Sequence, residues 1–126
     1  ATGGAWLMDE AVPAPGGRVV IHGATCEHAF VSPPKPGVKN ILLAHYPLWW
    51  TKVEPHRYDA ILAGHSHGGQ VRIPFYGPIT IPYGCGEFDL GRFETPAGPL
   101  YVGSGIGWFF MNVRFRCRPE ITVVEI

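Results

Sequence analysis

Apolar residues along this chain fall into short continuous runs, neither helical nor strictly alternating in period. Val19-Val20-Ile21 runs into His22-Gly23, Ile41-Leu42-Leu43-Ala44 into His45-Tyr46-Pro47, and Ala60-Ile61-Leu62-Ala63 into Gly64-His65-Ser66-His67. Uninterrupted runs of this length predict strands covered on both faces, as in the central sheet of an α/β protein. Between the second and third runs, Leu48 to Arg57 holds Trp49, Trp50, Val53 and Pro55, which leaves room for a short helix inside a compact parallel crossover.

Beyond His67 the pattern breaks up. Gln70 to Pro74 and Ile79 to Ile81 predict short extended pieces, and Leu90 to Glu94 with Leu100 to Gly103 predict a hairpin across Thr95-Pro96-Ala97-Gly98-Pro99. Asn112 to Arg116 alternates apolar with basic residues, the signature of a strand with one wet face, and Ile121 to Ile126 predicts a closing strand. The opening residues 1–17 are rich in Ala, Gly and Pro and predict an irregular segment, with at most a turn of helix around Trp6 to Ala11. The expectation is one strand-rich unit over residues 18–126.

Composition narrows the classes of function. The 126 residues carry 10 Lys+Arg against 10 Asp+Glu, so no general electrostatic attraction to nucleic acid is expected. A hydrophobic fraction of 46% is enough for a core, and no apolar run approaches the roughly 20 residues of a membrane-spanning helix. Cys26, Cys85 and Cys117 are odd in number and far apart, and are expected to be reduced and structural.

The chemistry-bearing residues sit where the predicted strands end. Ligand sites in open α/β sheets lie beyond the carboxyl ends of strands, and Gly64-His65-Ser66-His67-Gly68-Gly69-Gln70 follows one such strand. Two histidines at i and i+2 among glycines can face one cleft as neutral imidazole ligands for a metal, with Ser66 as a spacer. His45 ends the neighbouring run, so parallel pairing would bring it to the same sheet edge. Gln70 and Arg72 are candidates to face a phosphoryl oxygen, while His22 reads as structural and His28 and His56 as solvated loop residues. Trp49, Trp50, Trp108, Phe109 and Phe110 are expected to cover the sheet or shape the cleft.

Leu42-Leu43-Ala44-His45-Tyr46-Pro47 and Tyr58-Asp59-Ala60-Ile61-Leu62-Ala63-Gly64-His65-Ser66-His67-Gly68-Gly69-Gln70 resemble the last two metal-binding motifs of the calcineurin-like metallophosphoesterases. Tyr101 to Gly107, then Arg114-Phe115 and Arg118-Pro119-Glu120-Ile121, resemble the closing strands of a bacterial branch of that family. The resemblance implies that residues 18–126 are the strand-rich C-terminal half of an α/β, αββα β-sandwich domain whose N-terminal half is missing. It implies hydrolysis of phosphomonoesters or phosphodiesters at a two-metal centre, with His45 and His65 on one ion and His67 on the other. Manganese, iron or zinc would suit such ligands. The branch further implies a cytoplasmic or membrane-peripheral location and lipid-linked substrates.

The family's Asp-x-His, Gly-Asp and Gly-Asn-His motifs are absent from these residues. Two cations about 3.5–4 Å apart need anionic ligands to offset their repulsion, and three neutral histidines supply none. Glu87 or Asp89 is a candidate to complete the shell of a single ion, and full activity would need the missing half. Three readings follow: a phosphoesterase completed by a further half or a second copy, a non-catalytic metal-binding or interaction module that dimerises or takes a partner chain, and a metal-free β domain.

Overall fold

The structure, a computed structural model, describes residues 4–25, 31–109 and 111–125. Cys26, His28 and Phe110 lie outside the described residues. Six strands form one mixed sheet: β1 (Ala11–Pro13), β2 (Val19–Ala24), β3 (Lys39–Ala44), β4 (Ala60–Ala63), then β7 (Gly91–Thr95) and β8 (Gly98–Val102). A separate pair is made by β5 (Arg72–Ile73) and β6 (Gly77–Pro78). The sheet order is β1-β2-β3-β4-β8-β7, with β2, β3, β4 and β8 parallel and the two edge strands antiparallel.

The three apolar runs are β2, β3 and β4, three of the sheet's four interior strands, as their composition predicts, and the hairpin falls across Pro96 and Ala97. Its turn needs Gly98: with φ at +126°, a Cβ there would lie 2.2 Å from the Tyr58 carbonyl oxygen. That close approach lets the Tyr58 amide donate to the Ala97 carbonyl at 2.8 Å, tying the β3–β4 connection to the hairpin.

Register explains the core. His22 pairs with Leu42, Leu42 with Ile61 and Ile61 with Leu100, so these four share one face, and all are fully buried. Val53, Tyr58 and Phe88 close over that face, with Trp50 and Phe93 packing edge-on to Phe88. His22 is structural here: its ring nitrogens meet the Ser32 hydroxyl at 3.1 Å and the Asn40 amide oxygen at 2.9 Å, so a buried polar side chain keeps its hydrogen bonds.

The β3–β4 crossover carries the short helix expected there, a 3-10 helix over Pro47–Lys52, and no α-helix occurs among the described residues. Elsewhere the local pattern misleads. Instead of a helical turn, Trp6 to Glu10 are irregular and Ala11–Pro13 form an edge strand, where a proline's missing N–H costs no ladder bond. Ile79 to Ile81 are not a strand, and Asn112 to Arg116 contribute only a bridge from Phe115 to Val71. Residues 121–125 are also irregular. Those segments have the right alternation but, apart from that bridge, no strand pairs with them among the described residues. Among the described residues, no helix is long and apolar enough to cross a membrane.

Candidate metal centre

Parallel pairing of β3 with β4 sets the site. Ala44 pairs with Ala63, so His45 and Gly64 leave the sheet side by side, and the Gly64 amide donates to the His45 carbonyl at 3.4 Å. The His45 and His65 rings follow at a centroid separation of 4.5 Å, each edge-on to Tyr46. Gly84, at φ +84°, lets the 83–86 loop close on Tyr46, since a Cβ there would lie 2.5 Å from the ring. The same loop brings the Tyr83 carbonyl to 3.0 Å from His65 Nε2.

The loop after β4 is held in an uncommon shape. His65, His67, Gly68, Gly69 and Gln70 all have positive φ, a conformation that costs a non-glycine residue roughly 1–2 kcal/mol. Such strain persists where the surroundings over-determine it, typically at ligand sites. Here the surroundings are explicit. Ser66, 1% exposed, accepts the Gly68 amide on its hydroxyl at 3.1 Å, and a Cβ on Gly68 would lie 2.5 Å from Cys117 Sγ. The Cys117 thiol in turn donates to the His67 carbonyl at 3.2 Å.

Both outer histidines are held towards the neutral form that a metal requires. Burial lowers the His45 pKa, and the charges that His65 and His67 would carry lower it further. Burial also lowers that of His67, followed by the Arg114 guanidinium and His65, against an opposing pull from the Gly107 carbonyl. His67 Nδ1 is buried without a hydrogen-bond partner, and its ring stacks against Phe109 at 6.3 Å. An orphaned imidazole nitrogen on a strained loop, beside two further imidazoles, fits part of the ligand set of a divalent cation. The set is not closed: among the described residues, no three of His, Cys, Asp and Glu are arranged to hold a metal ion.

Gln70 and Arg72 are engaged with the protein itself. The Gln70 amide nitrogen donates to the Met111 and Val113 carbonyls at 2.8 and 3.1 Å, and its oxygen accepts the Phe109 amide. Arg72 donates to the Gly68 carbonyl at 2.9 Å and forms an ion pair of 2.6 Å with Asp89. Asp89 is thereby committed to Arg72, and Glu87 is exposed. Arg114, expected on the wet face of a strand, instead gathers the Ser104, Gly105 and Gly107 carbonyls with its guanidinium and holds the loop after β8 beside His67.

Comparison with known proteins follows the same residues. The chain is 42% identical over 88 residues to an uncharacterized metallophosphoesterase of Bacillus subtilis, YkuE, covering 69% of this chain and 30% of that protein. It is 31% identical over 97 residues to phosphodiesterase YaeI of Escherichia coli, covering 75% and 36%. It is 31% identical over 98 residues to the UDP-2,3-diacylglucosamine pyrophosphatase LpxG of Chlamydia trachomatis, covering 71% and 30%. No protein-family model and no solved structure matches. The chain thus spans about a third of the length of these relatives. On these matches and its two histidine motifs, this chain belongs to the calcineurin-like metallophosphoesterase family.

Proposed function

We propose that this chain supplies the C-terminal histidine ligands, His45, His65 and His67, of a divalent-metal centre that hydrolyses phosphate esters. The observation that carries the reading is the meeting of His45 and His65 at the ends of adjacent parallel strands, with His67 Nδ1, two residues further on, buried and unpartnered. Relatives named metallophosphoesterase, phosphodiesterase and pyrophosphatase support phosphate-ester chemistry.

Divalent ions at this edge would supply Lewis acidity towards a phosphoryl oxygen. The protein's own part is to keep three imidazole lone pairs available and to fix the loop that carries them. His45 and His65 pack together against Tyr46 and would serve one ion, and His67, whose ring stacks on Phe109, would serve the other. Anionic ligands for the pair, and a proton donor for the leaving oxygen, come from residues beyond these three histidines.

The test is a manganese titration of the purified chain and of His45→Ala, His65→Ala and His67→Ala, followed calorimetrically, with hydrolysis of an aryl phosphodiester measured alongside. Each substitution is expected to weaken manganese binding, and His65→Ala to abolish it at the ion it shares with His45. Equal affinity across all four proteins would overturn the assignment.

A further inference from the structure

Backbone carbonyls from two segments converge on the Arg114 side chain beside the histidine loop. Arg114 Nε donates to the Gly107 carbonyl at 3.0 Å, Nη2 to those of Ser104, Gly105 and Gly107, and Nη1 to that of Cys117 at 3.4 Å. Carbonyl oxygens gathered in this way repel one another unless a donor lies between them, and the planar five-donor fork of a guanidinium serves several at once. A lysine ammonium, a point charge with three donors, does not reproduce that fork. Among the described residues Arg114 forms no ion pair, so its charge is met by these carbonyls.

The segments so gathered are the ones that touch His67. Gly107 packs beside the ring, where a Cβ would lie 3.8 Å from His67 Cε1. Cys117, 3% exposed, holds the same residue by its backbone, since its thiol donates to the His67 carbonyl at 3.2 Å. The Ser104 hydroxyl donates to the Arg118 carbonyl at 2.9 Å and joins the two segments a second time. The Phe115 amide donates to the Gln70 carbonyl at 2.8 Å, which ties this stretch to the loop after β4. Apart from the bridge between Val71 and Phe115, no strand ladder fixes these places among the described residues, so the side-chain contacts do.

We infer that Arg114 is a positioning residue of the metal centre, holding the 104–107 loop against the His67 ring and Cys117 against the His67 carbonyl, so that the imidazole keeps one pose towards its ion. The inference rests on the metal reading above for the ion alone, because the pose belongs to the chain without metal. Partners that orient a ligating histidine typically change metal affinity about 10–100-fold when they are removed.

The experiment records imidazole nitrogen NMR spectra of the metal-free chain and of its Arg114→Lys and Arg114→Gln variants, then titrates each with zinc, with circular dichroism checking the fold. Both variants should shift the His67 ring signals and leave those of His45 and His65 in place, which a general loss of stability would not do. Zinc affinity read at His67 should fall about 10–100-fold, and that read at His45 and His65 should hold. Unmoved His67 signals in the folded variants, or equal zinc affinity at His67 in all three chains, would overturn the role of Arg114. Shifted His67 signals with no zinc binding in any chain would overturn the metal reading and leave the hold on the ring standing. Should both variants unfold, proton exchange at Arg114 Nε in the unsubstituted chain decides: slow exchange is expected of a group clamped to Gly107, and the rate of free arginine would overturn the inference.

Discussion

Replacing Gly68 with alanine tests how the histidine loop is held. Gly68 sits at φ +60°, so alanine there meets left-handed backbone strain of roughly 1–2 kcal/mol whatever surrounds it. The added Cβ would also lie 2.5 Å from Cys117 Sγ, whereas Ser104 and Leu90, at 3.4 and 3.5 Å, are ordinary contacts. Overlap of this kind in a packed site costs about 1–3 kcal/mol more. Gly68→Ala is therefore expected to cost about 2–5 kcal/mol, and the two parts separate in a double-mutant cycle. Cys117→Ala removes the sulfur and its bond to the His67 carbonyl, at a cost of about 1 kcal/mol. In that background Gly68→Ala should cost only the backbone strain, leaving a coupling of about 1–3 kcal/mol. Urea unfolding of the four proteins gives the cycle. Additive costs would mean that Cys117 does not bear on the loop, and the account of its strained shape would fail.

Three other outcomes follow from the same structure. Tyr58 is 2% exposed and donates to the Ser32 carbonyl, and burial pushes its pKa up to about 12. Its proton is held more tightly in the folded chain, so stability is full below pH 10 and falls as pH rises towards 12; urea midpoints should show this and Tyr58→Phe should reduce the slope. Asp59 accepts the Asn40 amide at 2.8 Å and Lys39 Nζ at 3.0 Å, which hold its carboxyl below the usual range. The stabilisation is present above pH 3.8 and is lost as pH falls through the folded pKa, so Asp59→Asn should cost about 1 kcal/mol at neutral pH and blunt the acid-side loss. Leu42→Ala, at a fully buried position, should cost about 2–5 kcal/mol in the same assay.

What the sequence showed and what it hid have physical reasons. Ile41 to Ala44 and Ala60 to Ala63 were legible because a strand buried between neighbours must be apolar along its whole length. The placing of His45 and His65 followed, since parallel strands end at one edge. The alternation of Val113 and Phe115 with Arg114 and Arg116 reads as a strand. Yet these apolar side chains are exposed, and only Phe115 bridges to Val71. Strand character there depends on a partner that local pattern does not encode. Gln70 and Arg72 read as substrate contacts by type, whereas the loop's left-handed turns direct them to backbone carbonyls and to Asp89. The Tyr83 contact to His65 was invisible, because a backbone carbonyl carries no residue-type signal.

The central claim is that His65 belongs to a metal centre, and metal content addresses it most directly. Elemental mass spectrometry on the purified chain and on His65→Ala should find manganese, iron or zinc in the first and a loss of it in the second. An unchanged metal content in His65→Ala would contradict the account.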